Sequence, residues 1–271
     1  MKVKIIIATL LLSLSITTNV QAQKNDFPSY PYKPTKGYIM SYWTAVKRTA
    51  TAPAHWNKKQ WFTFGGVVAG GATLYIFDSQ IRNFFQSHQS TGMMNISKHG
   101  FEPIGSGVYS FPFVAGFYFY GVATHNLKMR RVAMAATQAV IVSGITVELI
   151  KNIAGRVRPF QSDPANPRLW MGPTFKYNSF PSGHTIVAFS LASVFASAYK
   201  DKPWVGILSY GLATGVGLSR IYQDKHWSSD VFIGAALGYA IGQISYHILN
   251  SKNLQVGVSD QGMPALVYHL N

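Results

Sequence analysis

The sequence predicts an all-α fold, a bundle of about six apolar helices embedded in a membrane, with a functional site at one end. Three observations carry this. Of 271 residues, 48% are hydrophobic and only 12% charged, about half the usual charged share and too few to clothe a large water-facing surface. Six uncharged stretches recur, at 61–77, 103–124, 132–147, 185–199, 203–219 and 231–251. Glycines at 65–71 and in Gly234-x3-Gly238-x3-Gly242 suit close contact between helices. Several stretches fall short of the ~20 residues a spanning helix needs, which keeps a soluble bundle as the alternative. Flanking Trp, Tyr and basic residues could extend them, because long side chains reach back to the interface.

Residues 1–22 read as a secretory signal. Lys2 and Lys4 give the positive start, 5–16 the apolar centre, and Val20-Gln21-Ala22 a small-residue cleavage site. Residues 23–60 are largely polar, with Pro28, Pro31, Pro34 and Pro53, and read as an N-terminal arm. Within it, 38–46 could form a short interfacial helix with Tyr42 and Trp43 at the boundary. The helical domain occupies 61–250. Residues 251–271 alternate (Val256, Val258, then Leu266, Tyr268, Leu270) around Gln261-Gly262, as a short tail or hairpin would.

The formal net charge is +15, from 24 Lys and Arg against 9 Asp and Glu. Such an imbalance points to anionic lipid or phosphate-bearing substrates. Nucleic acid is disfavoured, because the basic residues are spread thinly between apolar runs and form no single face. The chain has no cysteine, which excludes disulfides and thiolate metal sites. Carboxylates are too sparse for an acidic metal cage, so neither a metal nor another cofactor is expected.

Short links imply antiparallel neighbouring helices. The link between the stretches at 132–147 and 185–199 is instead long and basic, holding Lys151, Arg156, Arg158, Arg168 and Lys176. Alternating directions bring the ends carrying Lys151, His184, Arg220 and His226 to one face. His184 follows Pro181-Ser182-Gly183 and opens a helix, where free N–H groups and the dipole favour an anion. Asp230 lies four residues after His226, on the same helix face and within its reach. A carboxylate accepting from one imidazole nitrogen leaves the other free to attack.

Phosphoryl transfer fits these residue types. It needs the equatorial oxygens neutralised, an in-line nucleophile and an acid for the leaving oxygen. Lys151, Arg158 and Arg220 could supply the charge, Ser182 a hydroxyl, and Gly183 an N–H with no side chain in the way. His226 would attack and His184 would protonate the departing alkoxide. The cations take the place a metal fills elsewhere, so the site needs none.

Lys151-x6-Arg158-Pro159, Pro181-Ser182-Gly183-His184 and Ser219-Arg220-x5-His226-x3-Asp230 resemble the three signature motifs of the type 2 phosphatidic acid phosphatases. That superfamily also holds bacterial non-specific acid phosphatases and vanadium haloperoxidases. The motifs are complete, in order and spaced as in the family, across 151–230. The resemblance implies phosphate binding by Lys151, Arg158, Arg220, Ser182 and Gly183. It makes His184 the acid/base, His226 the nucleophile and Asp230 its orienting partner.

The implied activity is that of an envelope phosphatase acting on lipid phosphates such as phosphatidate, phosphatidylglycerophosphate, polyprenyl pyrophosphate or a lipid A phosphate. An exported acid phosphatase for soluble monoesters is the alternative, and a haloperoxidase a more distant one. Short basic loops at 125–131 and 200–203 favour the cytoplasmic side and a mouth facing the periplasm. Six spans after a cleaved signal would place the mouth inside, a conflict removed if 61–77 does not cross or if the bundle does not span the membrane at all.

Overall fold

The computed structural model describes Pro34 and residues 36–250 in full, and residues 254–258 and 264–268 as backbone. The signal sequence read at 1–22 lies outside the described residues. Seven long helices carry the architecture: α1 Lys36–Thr51, α2 Lys58–Ser87, α3 Gly107–Ala123, α4 Leu127–Ala154, α5 Gly183–Ala198, α6 Pro203–Tyr222 and α7 Ser228–Asn250. Each of the six apolar stretches overlaps one of α2 to α7, with 103–105 set apart in a short turn, Glu102–Gly105, ahead of α3. Residues 254–258 (β1) and 264–268 (β2) pair antiparallel, with Val256 opposite Leu266.

Local chemistry sets the helix limits. Asn57 and Gln60 form a reciprocal capping box at the start of α2, at 2.9 and 3.0 Å, which satisfies two otherwise unpaired N–H groups. Asn126 caps α4 by accepting from the Met129 N–H at 3.0 Å. Gly155 ends α4 in the left-handed region, at φ +57°. A Cβ there would overlap the Gly172 carbonyl, so only glycine allows both the stop and the return of the following loop.

The core runs between α3, α4 and α5, through Val114, Val132, Ala136, Val140, Val187 and Val194. α7 lies against α5 along the expected glycine stripe. A Cβ on Gly234 would stand 2.9 Å from the Ser182 carbonyl oxygen, and one on Gly238 or Gly242 would overlap the Ile186 or Ser190 carbonyl. The two backbones therefore approach at a separation that larger residues would forbid.

Two boundaries differ from the sequence reading. The short helix read at 38–46 extends over 36–51: α1 buries Ser41 and Ala45 and docks on α4 and α7, where Ala45 joins Val142, Ile241 and Ile248. Tyr38 Oη donates to the Met134 carbonyl at 2.8 Å and Gln138 Nε2 donates to Ser41 Oγ at 2.6 Å. The extent of this docking was hidden, because hydrogen bonds carry part of it and only the small Ala45 and the partly buried Val46 add apolar contact. α2 runs 30 residues, well past the apolar stretch at 61–77. Its charged second half is helical because Asp78 and Arg82 find partners: Arg82 pairs with both Asp224 oxygens at 2.7 Å.

α4 and α7 are long and apolar enough to cross a membrane. Large apolar side chains also face outward elsewhere, among them Phe62, Val108, Phe119 and Ile207. Such a surface fits association with a membrane.

Candidate active site

The α4–α5 loop, the α6–α7 turn and the start of α5 meet at one end of the bundle. The loop folds back beside its own beginning, with Val157 N–H donating to Leu169 O and Met171 N–H to Gly155 O, both at 3.0 Å. It is fastened to the α6–α7 turn by Trp227, whose Nε1 donates to the Val157 carbonyl at 2.9 Å. The Ser182 N–H donates to the Asp230 carbonyl at 3.1 Å, joining the starts of α5 and α7.

The expected residues converge. Lys151, in the last turn of α4, is buried and its Nζ would stand 3.4 Å from a Cβ on Gly183. Glu148, a turn earlier, is a loose partner at 3.7 Å with its own side chain 64% exposed. Ser182 is buried at the N-cap position of α5 but makes no side-chain cap; its Oγ accepts from Thr185 Oγ1 at 2.8 Å, leaving its own proton to donate. Arg158 is oriented by Asn178 Oδ1 at 3.0 Å from its Nε. Burial first, and then the charge of Arg220, pushes Arg158 below the usual guanidinium range. His184 lies within charge range of Arg220, Glu102, Lys151 and Arg158. Arg220 is buried; its Nη1 faces the Glu102 carboxylate at 3.0 Å, and its Nε has no hydrogen-bond partner. Desolvated donors left unsatisfied are costly. Cations crowded in this way suit an anion that donates nothing and accepts many hydrogen bonds.

The orientation of His226 differs from expectation. Its Nδ1 lies 2.8 Å from the Ser179 carbonyl but 3.7 Å from Asp230 Oδ2, beyond hydrogen-bond reach. A carbonyl only accepts, so Nδ1 carries the proton and Nε2 is left with a free lone pair. Asp230 is withheld because its oxygens are taken. Arg156 Nη1 reaches Oδ1 at 2.5 Å, while Ser179 Oγ and the Trp227 N–H reach Oδ2 at 2.6 and 3.0 Å. Asp230 thus holds Ser179, and Ser179 holds His226. Burial, the largest influence, pushes His226 down to about 3 despite the neighbouring carboxylate, so the ring is neutral at physiological pH.

Several participants were not read from the sequence. Arg156 is fully buried and stacked 5.0 Å from Tyr75, 4.9 Å from Trp170 and 5.6 Å from Trp227. Its Nη2 donates to Asp78 Oδ2 at 2.7 Å. Asp78, from the middle of α2, also accepts from Ser228 Oγ at 2.6 Å, the Ser229 N–H at 2.9 Å and Ser229 Oγ at 2.6 Å. It therefore caps α7 from another helix, where a carboxylate is favoured by the free N–H groups and the dipole. The signal that could have found Asp78 was an acid at the edge of an apolar stretch, in a chain with few acids. Glu102, 3.0 Å from Arg220, carried the same signal, since it directly precedes the stretch at 103–124.

Comparison with known proteins matches residues 132–254 to the PAP2 superfamily. The chain is similar to the lipid A 1-phosphatase of Porphyromonas gingivalis, at 44% identity over 72 residues, 26% of this chain and 16% of that protein. It is also similar to the probable diacylglycerol pyrophosphate phosphatase 1 of Schizosaccharomyces pombe, at 27% identity over 51% of this chain and 61% of the relative. Against the bacitracin transport permease protein BcrC of Bacillus licheniformis the identity is 31%, over 42% of this chain and 54% of the relative. The chain thus spans less than two thirds of each of these relatives. Among solved structures, Aquifex aeolicus LpxE aligns with a TM-score of 0.49 at 24% identity, covering 62% of this chain and 94% of that one.

Proposed function

The chain belongs, through residues 132–254, to the PAP2 superfamily, and from that premise we propose that it is a metal-independent phosphatase. It hydrolyses lipid phosphate monoesters or pyrophosphates through a phosphohistidine. The observation that carries this is His226: Nδ1 donates to the Ser179 carbonyl at 2.8 Å, leaving a nucleophilic Nε2 beside buried, under-satisfied cations.

In the first step Nε2 of His226 attacks phosphorus in line, and the bond to the leaving oxygen breaks. His184 gives that oxygen its proton. Lys151, Arg158 and Arg220 take up the charge on the equatorial oxygens, with the Ser182 hydroxyl and the Gly183 N–H as further donors. In the second step His184 takes a proton from water as it attacks the phosphohistidine, which releases phosphate and frees His226. The outward apolar side chains give an acyl or prenyl tail a place to lie while its head group reaches the site.

The site faces the periplasm. The short links before α4 and before α6 meet at one end, where Lys128 pairs with Asp201 at 3.3 Å and lies 4.4 Å from the Tyr199 ring centroid. Lys128, Arg130, Arg131, Lys200 and Lys202 gather there, as on a cytoplasmic border, and the reacting groups lie at the other ends of these helices. A reporter fused after Lys176 should be active only outside the cytoplasm.

The deciding experiment is orthophosphate release from phosphatidic acid in EDTA, beside His226→Ala and a soluble aryl phosphate. Release that persists in EDTA and vanishes in the variant is expected. Turnover of the aryl phosphate alone would favour an exported phosphatase for soluble monoesters. Loss in EDTA would overturn the metal-independent reading.

A further inference from the structure

The cation cluster contains a carboxylate that this reaction does not use. Glu102 opens the turn Glu102–Gly105, directly after the π-helical turn Ile96–Phe101, on the segment between α2 and α3. Both of its flanks are locked onto the site. A Cβ on Gly215 of α6 would overlap the Phe101 ring, so that ring sits against the α6 backbone. A Cβ on Gly105 would stand 2.8 Å from the His184 carbonyl oxygen and 2.6 Å from Val216 Cγ1. The carboxylate is thus delivered to a fixed place, with Oε2 3.0 Å from Arg220 Nη1.

The pair is asymmetric. The Arg220 side chain is 4% exposed and that of Glu102 34%, so the cation is sunk and its counter-ion lies toward solvent. Glu102 holds the Nη1 side of the guanidinium, while Arg220 Nε has no hydrogen-bond partner. Nε therefore remains available to another acceptor, and Nη1 is available only to one that displaces Glu102. Burial pushes Glu102 up, but Arg220 outweighs it and holds the carboxyl below the usual range. Glu102 is ionised at neutral pH.

We propose that Glu102 is a release residue, the resting counter-ion of Arg220 that repels phosphate bound there and weakens the site for inorganic phosphate. This rests on Arg220 being a phosphate ligand, as proposed above. A buried guanidinium without a counter-ion is unfavourable, so Glu102 stabilises the empty site. An anion that accepts from Arg220 must come close to the same carboxylate, and like charges at such range repel. A lipid substrate retains its apolar tail contacts against that repulsion. Free phosphate is held by charge alone and is expelled.

The test is calorimetric binding of inorganic phosphate to the purified full chain in detergent, with phosphate inhibition of phosphatidic acid hydrolysis measured alongside. Glu102→Gln, which keeps shape and loses charge, should bind phosphate on the order of tenfold tighter and be inhibited at correspondingly lower concentration. Glu102→Asp keeps the charge and should bind as weakly as the wild type. Weaker binding by Glu102→Gln would mean that Glu102 merely positions Arg220, and would overturn the proposal. Equal affinity in Glu102→Gln and wild type, or a Glu102→Asp variant as tight as Glu102→Gln, would overturn it too. A wild-type chain that binds no phosphate while remaining folded would remove the phosphate site itself, and the proposal with it.

Discussion

The imidazole Nδ1 of His226 donates to the main-chain carbonyl of Ser179 at 2.8 Å. A carbonyl cannot take up a proton at neutral pH, so this contact fixes tautomer and ring plane without a competing titration. The carboxylate expected in that role acts one step away. It accepts from Ser179 Oγ at 2.6 Å and from Arg156.

Asp230→Asn should therefore harm stability more than orientation. The variant leaves buried Arg156 with a weakened partner, and breaking a buried ion pair costs about 3–5 kcal/mol. The protein that remains folded should keep measurable turnover, because the Ser179 carbonyl still holds His226. His226→Ala should have none. Denaturation in detergent and kcat per folded molecule separate the two effects. Equal loss in both variants would return Asp230 to direct contact with the ring.

Asp78 makes the same argument from outside the matched domain. It accepts from Arg156, Ser228 and Ser229 while fully buried. Asp78→Ala should cost about 3 kcal/mol or more, by stranding Arg156 and uncapping α7. Asp78→Asn should cost less, since its amide oxygen can still accept from the Ser229 N–H. Unfolding midpoints of the two variants check the order. A residue 132–254 fragment, lacking α2, should not fold.

How much of this the sequence disclosed depends on the kind of contact. The residues at helix ends were legible, because short links fix direction and direction fixes which ends meet. The Gly234, Gly238 and Gly242 stripe was legible for the same reason, since spacing of four defines a helix face. The docking of α1 was not, because Tyr38 and Ser41 bind through hydrogen bonds and only Ala45 and Val46 add apolar contact, too little for an apolar period. Asp78 and Arg156 lie 78 residues apart, and only the folded chain shows that they share a network. The His226–Asp230 spacing was read correctly as proximity, yet spacing could not reveal that Arg156 would claim the carboxylate.

Two glycines should behave in opposite ways. Gly155→Ala forces a left-handed backbone on alanine and drives its methyl into the Gly172 carbonyl. It should destabilise by about 2 kcal/mol or more. Gly183→Ala meets Lys151 Nζ at 3.4 Å, an ordinary contact distance, so the fold should survive with its midpoint nearly unchanged. The methyl would instead stand where an anion bound by Lys151 and the α5 N–H groups must come. Its KM for phosphatidic acid should rise about tenfold or more, and steady-state kinetics beside thermal unfolding read both outcomes.

Acid should destabilise the protein partly through His226. In the folded chain burial pushes this histidine down to about 3, whereas an unfolded histidine titrates near 6.5. Between those values the unfolded state binds the extra proton, so stability rises with pH across the window. The contribution is fully present above about 6.5 and is lost progressively as the pH falls toward 3. His226→Asn removes the titration while keeping a donor for the Ser179 carbonyl. Thermal midpoints in detergent from about pH 7 to about pH 4 should fall more steeply for the wild type than for this variant. Parallel slopes would mean that His226 titrates in the folded chain as it does in the unfolded one, and that burial does not hold the ring neutral.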